Sequence, residues 1–355
     1  MKFYKSVLLA QIMFLFISCT NGCSSESKSA VNSKEKYTSL TVVNWNTQTF
    51  FDANKDGCEY EDFLKSSDWN TEKYTLRLQR LCNLITELNA DIYIFEELEN
   101  ERIIYDISNQ LAESGQNWNQ KKFWNYSFFA KPEGSAIGIG ILSRYQLSGA
   151  KTHDMDIRIH SEKQPSSRYL VEATALVDNK KVMILANHWK SKSGGEEQTE
   201  IWRDWQENVL GKRLYHIINQ NSDSDLCGII ICGDFNRDAL DFVCNLKDQP
   251  NYIDSETNTI FRFSDFGHTD YVSASSLWFD SKDELISQNG SYYFDDYWEK
   301  IDNLFIMGKI KSAEFKTAAT APWATANGFP ISYKIYSGEG FSDHLPLYAK
   351  LILSD

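Results

Sequence analysis

The chain has 355 residues, is 42% hydrophobic and 14% aromatic, and carries a formal charge of −13. That apolar content supports a sizeable core and excludes general disorder. The acidic balance excludes a tight, non-specific grip on long nucleic acid through a broad basic face, though a small basic patch or a cation that neutralises phosphate locally remains compatible with it.

At the N-terminus, Lys2 and Lys5 precede an apolar run from Val7 to Ile17 that is interrupted only by Gln11. The run is shorter than the roughly 20 residues a spanning helix needs. It fits the hydrophobic region of a secretory signal over residues 1–18. Phe16-Ile17-Ser18-Cys19 resembles a bacterial lipobox. Cys19 is therefore the expected lipidation site, and the expected location is the lipid-anchored, exported side of a bacterial cell envelope, periplasmic or cell-surface. Residues 19–36, rich in Ser, Asn, Lys and Glu, read as a flexible tether.

From Tyr37 onward the pattern is globular, without an internal linker or repeat, so one domain over 37–355 is expected, as a monomer. Strand-like apolar runs occur at Leu40–Val43, Ile92–Phe95, Ile137–Leu142, Val182–Ala186, Gly228–Cys232, Leu304–Met307 and Leu345–Leu353. Two segments have helical spacing: 72–89, with Leu81, Leu84, Ile85 and Leu88 on one face, and 196–219, with Ile201, Trp205, Val209 and Ile217. No glycine-rich phosphate loop follows any of these strands, which argues against a dinucleotide-binding unit. Beyond Cys19 and Cys23, five cysteines remain. Their spacing does not suggest zinc, and the sequence cannot pair them.

The chemistry gathers at the ends of the apolar runs. The first leads to Asn44-Trp45-Asn46, the second to Glu96-Glu97, the fourth to Asn187-His188, and the fifth to Gly233-Asp234-Phe235-Asn236. Lys300-Ile301-Asp302 enters another run, and Ser342-Asp343-His344 precedes the last. Polar groups at the ends of core strands can converge on one rim, where rigid elements hold catalytic groups in place. Six such clusters in order are hard to explain as chance.

Together with Gly140-Ile141-Leu142-Ser143-Arg144 and Ser342-Asp343-His344-Leu345-Pro346, these clusters resemble the endonuclease/exonuclease/phosphatase superfamily. The resemblance spans nearly all of residues 40–350. It implies a DNase I-like four-layer α/β/β/α sandwich, with two packed mixed sheets flanked by helices. It also implies a phosphoesterase dependent on Mg²⁺ or Mn²⁺, with Ca²⁺ a further candidate, because hard cations take oxygen ligands. By the same resemblance, Glu97 is the principal metal ligand, Asp343 an adjacent one, and Asn46 a donor to metal or phosphate. His188, Asp234, Asn236, Asp302 and His344 are the expected catalytic group, with Asp302 fixing the tautomer of His344. Arg168, Asn187 and Lys190 are the expected substrate contacts.

Asn187-His188-Trp189-Lys190-Ser191-Lys192 resembles a segment of secreted bacterial nucleases in the superfamily, which favours a phosphodiesterase acting on DNA or RNA. A phosphomonoesterase or sphingomyelinase-like phospholipase is the second reading, and a non-catalytic binding protein on the same fold the third. Where many members carry glutamine before the catalytic glutamate, this chain has Glu96, an extra carboxylate beside the metal expected to alter metal affinity or pKa by like-charge repulsion. Tyr292, Tyr293, Tyr297 and Trp298 are candidates for a substrate wall.

Overall fold

The computed structural model describes residues 37–66, 68–113, 123–155, 167–220, 225–243, 259–265, 268–282 and 284–354, which lie within one compact unit, Lys36–Asp355. The signal, lipobox and tether expectations, Cys19 included, fall outside these residues. In chain order the elements are β1 (Thr38–Phe50), α1 (Glu61–Lys65), α2 (Thr71–Leu88), β2 (Ile92–Leu98), α3 (Glu101–Glu113), β3 (Tyr126–Ala130), β4 (Gly138–Ser143), β5 (Leu147–His153), β6 (Leu170–Val177), β7 (Lys180–His188), α4 (Glu196–Gln220), β8 (Leu226–Asp234), β9 (Thr259–Asp265), β10 (His268–Ser276), β11 (Tyr292–Phe294), β12 (Tyr297–Glu299), β13 (Asp302–Gly308), β14 (Ile310–Thr317) and β15 (Leu347–Leu353).

Two mixed sheets face each other. One runs β14-β15-β1-β2-β4-β3 and the other β5-β6-β7-β8-β13-β10-β9. Side chains alternate between the two faces of a strand, and here the inward rows are aliphatic. Leu40, Val42, Ile92, Ile94, Ile139 and Ile141 from the first sheet meet Val182, Ile184, Ala186, Ile230, Cys232, Leu304 and Ile306 from the second. Each fully buried aliphatic side chain of this size contributes about 2 kcal/mol relative to exposure. The outward row of the first sheet is covered by α2 and α3 through Leu78, Leu81, Ile85, Ile103, Ile104 and Ile107. The outward row of the second is covered by α4 through Leu210, Leu214 and Ile217. The α/β/β/α sandwich expected from the sequence is the architecture found.

The parallel pairs position the site. β1 pairs with β2 in parallel, with α2 on the crossover, and β7 pairs with β8 in parallel, with α4 on the crossover. Asn70 caps α2 by accepting the Lys73 N–H at 3.0 Å, and Asn89 ends it in a left-handed conformation at φ 50°. The carboxyl ends of all four parallel strands open on the same rim, where open α/β sheets bind ligands.

Among the described cysteines, Cys58, Cys82, Cys227 and Cys232 are free thiols.

Candidate active site

Strand register brings the predicted residues together. On the second sheet, His188 of β7 pairs with Asp234 of β8, and Asp234 pairs with Asp302 of β13. These three continue the inward rows Ile184-Ala186, Ile230-Cys232 and Ile306-Leu304, so they point between the sheets at the rim. On the first sheet, Asn46 of β1 pairs with Glu96 of β2, and both continue inward rows in the same way. The site is the mouth of the inter-sheet core, where apolar alternation gives way to polar side chains.

Glu97 breaks this alternation. As the next residue after an inward Glu96, it would point toward the helices. A bulge between Glu96 and Leu98, in the pairing with β4, and a positive φ of 65° at Glu97 turn its side chain into the cleft instead. The Thr49 N–H then donates to its Oε2 at 2.6 Å, and Asn46 Nδ2 donates to its Oε1 at 3.2 Å. The same Asn46 Nδ2 lies 3.0 Å from Asp234 Oδ2, so one amide bridges two carboxylates from opposite sheets. Asn46 Oδ1 is occupied by the Gln48 N–H at 2.9 Å. In this geometry Asn46 bridges the two acids while lining the cleft.

His344 and Asp302 form a direct pair, Nδ1 to Oδ2, at 2.7 Å. Ser291 Oγ donates to the same Oδ2 at 2.5 Å, the His344 N–H donates to Ser342 Oγ, and Trp45 Nε1 donates to the His344 carbonyl. Tyr292 packs on the imidazole with ring centres 4.6 Å apart. Burial opposes charge on His344, but the carboxylates of Asp302, Asp343 and Asp234 outweigh it and hold its pKa well above the usual histidine value. His188 is the opposite case. Burial, then Arg168 and His344, push it well below that value, although its Nε2 lies 3.7 Å from both Glu97 and Asp234. The dominant desolvation fits a neutral imidazole whose Nδ1 has no hydrogen-bond partner. Asp234 is raised to about 7 by burial and by the Asp302 carboxylate, against the bonds it accepts from Asn236 N–H and Asn46. Two histidines shifted in opposite directions and a carboxylate held near neutrality therefore share one rim.

The rim borders an open cleft of about 1060 Å³, lined by Glu97, Asp343, His188, Asp234, Asn236 and His344 among others. Its walls also carry Arg168, Lys190, Tyr60, Tyr292 and Phe294. Asn236 reaches the cleft from a left-handed turn at φ 48°, not from the extended segment that its spacing from Asp234 predicts. Gly233 permits a close approach between β7 and β8. A Cβ there would lie 2.0 Å from the Asn187 carbonyl oxygen. Asn187 itself is a correction. It points outward, one residue before His188, and its amide donates to the carbonyls of Leu185 and Cys232 while its oxygen accepts from Trp189 Nε1. It braces the strand ends and does not line the cleft. Of the predicted aromatic wall, Tyr292 lines the cleft, whereas Tyr293 and Trp298 pack on Phe329. Tyr60, just before α1, and Phe294, at the end of the short strand β11, were missed because no apolar periodicity or motif marks them.

Glu96 carries the expected like-charge effect in its own pKa, not at the cleft. It is wholly buried, bonded to Asn44 Nδ2 at 3.4 Å, and does not line the cleft. Burial, then Asp302 and Asp234, raise its pKa well above the ordinary glutamate range. It is thus a neutral acid, close in shape and hydrogen-bonding to the glutamine that it replaces. A carboxyl that binds its proton more tightly in the folded chain contributes fully at low pH and loses that contribution as pH rises. In metal-free protein, the melting temperature of the wild type is expected to fall relative to Glu96→Gln as pH rises above about 4.3, the unfolded value. The variant should keep most of its activity. Parallel melting curves across pH would contradict a neutral Glu96.

The donors at the acidic end of the cleft suit a hard divalent cation. Glu97 and Asp343 offer oxygen, and the Thr49 N–H fixes the Glu97 carboxylate. Polar atoms of Asp234, Asp302 and His344 also lie within 4.8 Å of one another. The direct His344–Asp302 bond and the bonds from Asn46 and Asn236 to Asp234 already use these atoms, which makes that group a hydrogen-bonded unit and not the cage of an ion.

A profile of the Endonuclease/Exonuclease/phosphatase family matches residues 41–352. The chain belongs to this family of phosphoester hydrolases. Among solved structures, an endonuclease/exonuclease/phosphatase family protein from Bacteroides thetaiotaomicron superposes with a TM-score of 0.52 at 12% identity, covering 90% of this chain and 100% of that one. TDP2 from D. rerio, crystallised with a single-strand DNA product, superposes at 0.51 and 14% identity, covering 88% and 98%. ANGEL2, described as a 2',3'-cyclic phosphatase, gives 0.52 at 14%, covering 89% and 96%. At these identities the likeness is one of fold. No functionally curated protein matches the chain in sequence.

Proposed function

We propose that the chain is a divalent-metal-dependent phosphodiesterase that hydrolyses nucleic acid by in-line attack of water. The observation that carries this reading is the register-matched row of His188, Asp234 and Asp302 facing Glu97 across the inter-sheet mouth, with His344 paired to Asp302. Glu97 and Asp343 would hold Mg²⁺ or Mn²⁺, which supplies charge neutralisation at the phosphate. Asp234, near pH 7 in proton affinity, is suited to orient the attacking water and take its proton. His344, kept charged by Asp302, pairs with a phosphate oxygen, and neutral His188 donates a hydrogen bond to another; as the water oxygen bonds to phosphorus, the P–O bond to the leaving oxygen breaks and that oxygen takes its proton from solvent. Arg168 and Lys190 give the cleft a local basic wall on an acidic protein. Tyr60, Tyr292 and Phe294 offer faces on which bases stack. The product-bound TDP2 neighbour adds support from fold likeness for a nucleic-acid strand in such a cleft.

The test is a rate panel with Mg²⁺ or Mn²⁺: plasmid DNA, RNA, bis-p-nitrophenyl phosphate and p-nitrophenyl phosphate. Hydrolysis of a polynucleotide and of the diester, with little of the monoester, is expected. Turnover confined to the monoester, or to a sphingolipid substrate in a parallel assay, would replace this reading with the phosphomonoesterase or phospholipase. We also propose export and lipid anchoring at Cys19, on the strength of the lipobox-like Phe16-Ile17-Ser18-Cys19 after the apolar run. Cys19→Ala should leave the membrane fraction or block processing, and an unchanged membrane fraction would rule the anchor out.

A further inference from the structure

The loop after β1 carries a second oxygen cluster. Its sequence is Asp52-Ala53-Asn54-Lys55-Asp56-Gly57-Cys58-Glu59. Carboxylate or amide side chains at the first, third and fifth residues, then glycine at the sixth, are the opening of a calcium-binding loop, in which the seventh residue gives a backbone carbonyl. Gly57 meets the sharp turn with φ 92°. The bidentate glutamate that closes such a loop is absent, since Phe63 occupies that position. The fold brings carboxylates to the place by another route. Ligand oxygens of Asp56, Glu59 and Glu99 lie within 4.8 Å of one another, with Glu99 arriving just beyond β2.

An acidic cluster alone would mean little. Glu99, however, is only 1% exposed, and its Oε1 has no hydrogen-bond partner. Its Oε2 is engaged by the Asp52 N–H, so the carboxylate is fixed in place while its Oε1 remains unsatisfied. Lys55, within the loop, turns its ammonium to the carbonyls of Leu64 and Ser66 and not to these acids. A buried carboxyl with an empty acceptor among other carboxylates either keeps a proton, as the burial that raises Glu99 to about 8 favours, or takes up a cation that displaces it. The geometry points to a Ca²⁺ site centred on Asp56, Glu59 and Glu99, in the loop that opens with Asp52 and Asn54 and separate from the catalytic donors. Calcium suits it better than magnesium, because a loop offering several carboxylates matches the larger ion's higher coordination number. Bound there, the ion ties the β1 loop to the end of β2, on either side of the bulge that aims Glu97.

Trp69 provides the readout. Its Nε1 donates to the Asp52 carbonyl at 2.5 Å, which places an indole beside the site. Terbium, an oxygen-seeking stand-in for calcium, should give indole-sensitised emission that saturates and that Ca²⁺ displaces better than Mg²⁺. The experiment uses the full metal-stripped chain in the Glu97→Gln background, which removes the principal catalytic donor. Asp56→Asn alters an exposed side chain, and Glu59→Gln a buried one. With folding checked by circular dichroism, each should lose most of the emission and most of the Ca²⁺-induced rise in melting temperature. Trp69→Phe should lose emission but keep that rise. No saturable, Ca²⁺-displaceable emission in the Glu97→Gln protein would overturn the site. So would emission and stabilisation unchanged in well-folded Asp56→Asn.

Discussion

Glu97→Gln is expected to lower the rate of phosphodiester hydrolysis by about a hundredfold or more while leaving the fold intact. The side chain is held by a bulge and a left-handed backbone, with one oxygen accepting from Thr49 and the other from Asn46. Glutamine keeps the shape but removes the charge that a cation needs. It also sets an amide donor against one of those two donors, so a small loss of stability should accompany the kinetic loss. The measurement is kcat at saturating Mg²⁺, with a melting curve for each protein. A variant with near-normal kcat would move the principal ligand elsewhere on the rim.

The second large effect is at His344 and Asp302. Asp302 Oδ2 accepts from both His344 and Ser291, and Asp302 is the leading opposite charge that keeps His344 protonated. Asp302→Asn and His344→Ala should each cost about a hundredfold or more in kcat. The double variant should be little worse than His344→Ala, because residues that act as a unit give non-additive losses. The cycle is measured on kcat/KM with folding checked by circular dichroism. Fully additive losses in folded proteins would show that the two side chains act independently.

Much of this rim was legible because chemistry begins where an inward aliphatic row ends. Ile184-Ala186 leads to His188, Ile230-Cys232 to Asp234, and Leu40-Val42 to Asn44 and Asn46. The same alternation, followed one step further, assigns Asn187 to the outer face, but the motif match drew attention to it as a substrate contact. Glu96 and Glu97 could not be separated in this way. Alternation alone puts Glu96 at the site and Glu97 away from it, and only the bulge reverses the roles. A bulge depends on how two strands pair, which one strand's sequence does not state. Edge strands were harder still. β5 and β14 expose most of their side chains, so they lack the apolar run that marked the central strands. α3 was overlooked although Ile103, Ile104, Ile107 and Leu111 have helical spacing, since a short run after the acidic segment Glu96–Glu101 reads equally well as a loop. Tyr60 and Arg168 meet at the cleft from loops far apart in sequence, which only the folded sheets bring together.

The central claim is that this rim hydrolyses phosphodiesters with the help of a cation held by Glu97 and Asp343. It is tested most directly by stripping the full chain with EDTA and following bis-p-nitrophenyl phosphate hydrolysis as Mg²⁺ is titrated back. The expected result is no turnover in chelator and saturable recovery with the ion, a recovery largely absent in Glu97→Gln. Undiminished hydrolysis in EDTA by the wild-type chain would contradict the account.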